Sequence, residues 1–124
     1  MERFTDAAAK SRLQSEMEAL ERRVDVWFAE QSHRCAIVMP VYPHVPPLHR
    51  LPLLTPFDFS YTLIWNALGL PATACPVGRA GGNGREAKGL PLAVQVVGGK
   101  HCDALTVAVV MRLEKLLGGW VQPY

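Results

Sequence analysis

The chain has 124 residues, 49% of them hydrophobic, and a formal net charge of +2 from 13 Lys and Arg against 11 Asp and Glu. That length fits one domain of ordinary size, and that apolar content excludes general disorder. The charge is too small and the basic residues too scattered for a nucleic-acid footprint, so no nucleic-acid partner is expected.

The first element is a charged amphipathic helix. Leu13, Met17, Leu20, Val24, Trp27 and Phe28 recur at spacings of three and four, which makes one apolar stripe. Glu16, Glu18, Glu21, Arg22, Arg23 and Asp25 fill the solvated face. Thr5 or Asp6 could cap its start, and it should end near Ser32–Arg34. The run Cys35–Met39 is short, apolar and β-branched at its centre, so it predicts a buried strand that Pro40 stops.

A Pro-rich connection follows at residues 40–56, with six of the ten prolines. It could be read as a polyproline ligand for an SH3-type domain. The plainer reading is an irregular connection whose prolines fix φ, and connections this long usually belong to a site or an interface.

A helix is predicted over Phe57–Leu68, with Asp58 or Ser60 as its cap. Phe59, Leu63 and Asn66 share one line of it, and Tyr61, Ile64 and Leu68 a neighbouring one. Gly69 is placed to end it, and Pro71 follows. A short strand is predicted at Ala72–Cys75, then a Gly-rich turn over Arg79–Gly89. The turn is no phosphate cradle: a P-loop needs a Gly-Lys-Ser/Thr close between strand and helix, and here the glycines lead to Arg85, Glu86 and another strand.

The stretch from Leu90 to Gly99 reads as a strand. Leu92, Val94 and Val96 lie on one face, and Pro91, Ala93, Gln95 and Val97 on the other. Both faces are apolar except at Gln95, so the strand belongs inside a sheet covered on both sides. Gln95 reads either as a substrate contact or, more plainly, as an amide satisfied within the sheet. Asp103 is expected to cap the last helix, which is apolar almost all round from Ala104 to Leu117 and so asks for cover by other protein. Three strands and three helices cannot supply that cover, and the chain reads as the edge of a larger sheet.

Cys35, Cys75 and Cys102 cannot all pair with one another, which predicts free thiols in a reducing, intracellular compartment. Cys75 has no basic neighbour to activate it. The four histidines lack metal-ligand spacing, so no metal is expected. No apolar run approaches the ~20 residues of a membrane span.

In order, Asn66, Gly69 and Pro71, then Pro76 and Gly78, then Gly89, Leu90, Pro91, Gln95 and Gly98 form a pattern. It reads N-x-x-G-x-P, P-x-G, a variable turn and G-L-P-x-x-x-Q-x-x-G. This pattern and the helix after it resemble the C-terminal part of the amidase-signature family, and most nearly its fatty-acid amide hydrolases. The resemblance covers about Leu13 to Pro123. It implies an α/β fold, the C-terminal segment of the amidase-signature mixed-sheet fold, with residues 1–124 a partial amidase domain.

The activity implied is amide hydrolysis by a Ser–cis-Ser–Lys triad with a backbone oxyanion hole, acting on a fatty-acyl amide and needing no cofactor. None of Ser11, Ser15, Ser32 and Ser60 stands in a Gly-Ser-Ser setting, and Lys10, Lys88, Lys100 and Lys115 have no such partner. No residue therefore carries over as nucleophile or base, and no counterpart of the family's membrane-associated N-terminal segment is found. On this reading the chain is a short isoform, an internal-start product or a partial gene model, inactive alone and without its own anchor. The alternative is an interaction module that docks or self-associates through its exposed apolar surface. The resemblance also places Phe59 and Leu63, with Thr62 and Trp65 nearby, on the helix that lines the acyl-chain channel in this family. The plainer reading makes them ordinary core residues.

Overall fold

The computed structural model describes residues 7–47, 52, 54–81 and 89–118. Its elements are α1 (Ala7–Glu30), β1 (Ile37–Pro40), a 3₁₀ turn (Pro56–Phe59), α2 (Ser60–Ala67), β2 (Ala72–Arg79), β3 (Pro91–Val97) and α3 (Asp103–Leu116). The three strands form one sheet in the order β1-β3-β2, with both pairings antiparallel. The expected three strands and three helices are therefore present.

β3 is the central strand, as its two apolar faces require. Val97 stands opposite Ile37 on one side and Ala72 on the other. Gln95, Val96 and Val97 are all buried, although consecutive strand residues point to opposite faces. The sheet is thus covered on both sides at this end. On the face of Val97 lie Phe28 of α1 with Leu68 and Leu70, backed by Leu20, Val24, Cys35, Ile37 and Trp65. α3 packs on β2 and β3. There the hydroxyls of Thr73 and Thr106 lie 2.8 Å apart, and Thr106 also donates to the Asp103 carbonyl at 2.8 Å.

Several boundaries differ from the sequence reading for local reasons. β1 begins at Ile37 and includes Pro40. It lies at the edge of the sheet, where a missing N–H leaves no ladder bond unmade. β2 runs on from Cys75 to Arg79 through Pro76, again on an edge, with a register shift between Pro76 and Gly78. α3 starts after Cys102, not Asp103. Asp103 is its first residue, and no side chain caps the helix. The end of α1 needs no glycine. Ser32 and His33 take φ of 51° and 53° and donate to the carbonyls of Ala29 (2.8 Å) and Phe28 (2.9 Å). Thr5, Asp6 and most of the Gly-rich turn lie outside the described residues.

Lys100, in the β3–α3 turn, ties the sheet to α1. Its ammonium lies 2.9 Å from Asp25 and also bonds Glu21. Asp25 first, and then Glu21, raises the Lys100 pKa above its ordinary value. The contribution is therefore complete below the unfolded value of about 10.4 and is lost as pH rises through the raised folded value.

Gly98 and Gly99 let α1 and α3 approach this turn. A Cβ on Gly98 would stand 2.9 Å from Thr106 Cγ2, and one on Gly99 3.1 Å from the Phe28 Cβ and Cγ. Phe28 and Thr106 are fully buried and have little room to retreat. Gly98→Ala and Gly99→Ala are each expected to destabilise the protein by about 1–3 kcal/mol. Urea titration checks this, and a Gly81→Ala control, with no described atom within 4 Å of its Cβ, should change little.

Candidate functional site

The entry to α2 carries the chain's polar and apolar side chains of functional interest. Thr55 precedes the 3₁₀ turn, Pro56 opens it, and Asp58 N–H donates to the Thr55 carbonyl at 3.1 Å. The sequence reading gave the cap to Asp58 or Ser60. In the structure neither caps it: Thr55 stands at the N-cap of the 3₁₀ turn and Phe59 at that of α2, with no side-chain cap bond at either, although Thr55 and Asp58 keep the Thr-x-x-Asp spacing of a capping box. Here the two side chains bond to each other, and Asp58 turns to a third group. The Tyr42 hydroxyl donates to Asp58 Oδ2 at 2.9 Å. The hydrogen bonds from Thr55 and then Tyr42 hold the Asp58 carboxyl below its ordinary value. For Tyr42, the Thr55 bond acts downward but is outweighed by partial burial and by the bond and charge of Asp58, so its pKa is raised. The His44 ring stands edge-on to Tyr42, with centroids 6.3 Å apart.

The other end of α2 closes as a Schellman turn. Gly69 takes φ 63° and donates to Asn66, and Leu70 donates to Trp65. This turn drops Leu68 and Leu70 into the core beneath the helix. It also fixes which way the other side chains face.

Phe59 is 49% exposed and Leu63 is 60% exposed. They sit four residues apart, with Phe57 and Ile64 also exposed nearby. Thr62 is half-buried and spends its hydroxyl on the Phe59 carbonyl at 3.2 Å. Trp65 is half-buried on the opposite, core-facing side, against the Phe28–Val97 cluster. Its indole N–H is buried and has no partner among the described residues. The four residues placed on the channel helix therefore divide: Phe59 and Leu63 face out, and Trp65 faces in.

Gln95 anchors the same helix from below. Its amide nitrogen donates to the Tyr61 carbonyl at 2.7 Å and to the Pro40 carbonyl at 3.1 Å. Both amide hydrogens are used, joining the end of β1 to the first turn of α2, so Gln95 is the satisfied sheet amide. Cys75 is fully buried, and burial first, then the charge of Glu114, pushes its thiol up. Burial and that charge both disfavour the thiolate, the form that acts as a nucleophile. Among the described residues no group of His, Cys, Asp and Glu is placed to hold a metal.

No protein-family model and no solved structure matches the chain. Curated proteins do. It is 52% identical over 84 residues to the human fatty-acid amide hydrolase 2, covering 68% of this chain and 15% of that protein. It is 47% identical over 87 residues to the zebrafish (Danio rerio) fatty-acid amide hydrolase 2-A, covering 70% and 15%. The chain carries the C-terminal portion of an amidase-signature sequence. A putative amidase of Synechocystis extends the likeness, with 37% identity over 112 residues, 83% of this chain and 20% of the relative. This amidase segment thus spans between 15% and 20% of the length of those relatives. None of its described helices is long and apolar enough to cross a membrane.

The Tyr42–Asp58 bond was not read from the sequence, although Thr55-Pro-Phe-Asp58 carried a capping-box signal. Replacing Gln95 with Leu removes the donor to two carbonyls at a site that is 3% exposed. The expected loss is about 1–3 kcal/mol by denaturant titration. Alkylation should modify the half-buried Cys35 and Cys102 well before Cys75 under native conditions, as peptide mapping would record.

Proposed function

We propose that this chain is the non-catalytic C-terminal close of a serine amidase that hydrolyses fatty-acyl amides. Residues 1–124 form a partial domain, with the Pro-rich connection 40–56 within it. The observation that carries the reading is the 52% identity to a fatty-acid amide hydrolase over 84 residues. In such an enzyme a serine oxygen attacks the acyl carbonyl, the amine leaves with a proton, and water then releases the acid and frees the serine. Those groups belong to the rest of the protein. The part of this chain is apolar: Phe59 and Leu63 form wall for the acyl chain, with Thr62 beside them, while Trp65 backs the helix from the core side. An acyl chain offers no hydrogen bonds, so its recognition rests on apolar area, at about 25 cal/mol per Å² removed from water. The exposed pair on α2 supplies such area. The free thiols favour a reducing, intracellular setting.

In the full-length enzyme, Leu63→Asp and Phe59→Asp are each expected to lower kcat/KM for a long-chain fatty amide about tenfold more than for butyramide. An unchanged chain-length preference would overturn the placement. The 124-residue chain alone should hydrolyse neither amide. A serine labelled by a fluorophosphonate probe in the pure chain, with turnover, would overturn the non-catalytic assignment.

A second reading is favoured by α3. Its Val107 is 47% exposed and its Met111 65%, four residues apart on one face. On that reading the chain is an interaction module that docks through this face, onto an intact amidase or a second copy. Sedimentation velocity decides it: a folded monomer that binds no amidase removes its basis.

A further inference from the structure

Tyr42, Thr55 and Asp58 form a polar cluster at the point where the Pro-rich connection returns to α2. The core lies beneath Leu68 and Leu70, at the far end of the helix, and the sheet holds the helix through Gln95 and the Tyr61 carbonyl. The cluster is a second, outer point of attachment. It joins residues sixteen apart, through the 2.9 Å bond from the Tyr42 hydroxyl to Asp58 Oδ2. The connection is itself fixed at its start, because Val41 N–H donates to the Ala93 carbonyl at 3.3 Å. Tyr42 therefore hangs from the sheet, and Asp58 hangs from Tyr42.

We propose that Tyr42, Thr55 and Asp58 act as a latch that sets the position of Phe59 against the acyl chain, and so tunes which chain lengths the enzyme accepts. The inference rests on the amide-hydrolase reading above. Its geometry is that of a short lever. Asp58 adjoins Phe59 in the sequence, and the Gln95 anchor at Tyr61 lies three residues on. At about 2 Å of rise per residue in a 3₁₀ turn, the two attachment points are ~6 Å apart. With both in place, the turn that carries Phe59 cannot pivot. With the latch released, residues 56–60 swing about the Tyr61 carbonyl, and Phe59 moves further than Leu63. These three are positioning residues: none needs to touch the reacting atoms. Their effect falls on the remote part of the substrate, whose binding energy helps drive the chemistry.

The test uses the full-length enzyme with a long-chain fatty amide and butyramide. Tyr42→Phe removes one hydroxyl and keeps the ring. It is expected to lower the ratio of kcat/KM, long chain over short, by about 3- to 10-fold, chiefly through KM for the long chain. Asp58→Ala should do the same. Asp58→Asn, which still offers an oxygen to the Tyr42 hydroxyl, should recover most of the ratio, an order that a general loss of stability would not produce. A ratio unmoved by Tyr42→Phe while Leu63→Asp moves it would overturn the latch and leave the amidase reading standing. A ratio unmoved by either would overturn the latch and the acyl-wall placement of Leu63 together. An equal loss on both substrates, not recovered by Asp58→Asn, would reduce the cluster to a structural role and overturn the latch.

Discussion

The last three residues of β3 organise everything around them. Gln95, Val96 and Val97 are consecutive and all buried, which a strand achieves only when both faces of its sheet are covered. Val97 gathers α1 and the close of α2 on one face, while α3 lies over β2 and β3. Gln95 is polar in that setting, and its burial is tolerable because two carbonyls accept from it. Those carbonyls belong to the end of β1 and the start of α2. One side chain therefore couples the sheet edge to the helix that carries Phe59 and Leu63.

The two glycines that follow extend the same logic. The chain must leave β3, turn, and start α3 within the space between Phe28 and Thr106. No side chain fits there, so the pair Gly98–Gly99 is a requirement of packing. Lys100 then sits where it can reach both Glu21 and Asp25. The ion pairs are partly exposed and screened, so they orient α1 more than they stabilise it.

Much of this was legible in residue patterns, and the failures are informative. Period-3.6 stripes and the Gly69–Leu70–Pro71 stop located the helices, because burial of one face and a left-handed closing residue leave clear marks. The β3 alternation, apolar on both faces, correctly named the central strand. The ends of β1 and β2 run past the expected bounds, through Pro40 and Pro76, because both strands lie on edges where a missing donor is harmless. The cap of α3 was assigned by residue type, and no local signal could show that Asp103 falls inside the first turn. For the α2 surface, the spacing puts Phe59 and Leu63 together and Trp65 on another side, but it does not say which side meets the core. That depends on Phe28 and Val97, far away in the chain. The Tyr42–Asp58 bond was out of reach for the same reason.

α1 has a further consequence. It is 24 residues long, yet every described residue from Ala7 to Ala19 is exposed. The helix therefore projects about 20 Å before Leu20 meets the core, at 1.5 Å per residue. A free-standing helix of that length is marginal in water even with good formers and i,i+4 pairs such as Arg12–Glu16. Local opening should thus cost almost nothing at Ala7 and approach the global unfolding free energy at Phe28. One continuous helix spans nearly the whole range of stability the protein possesses, and amide exchange would descend along it as a gradient.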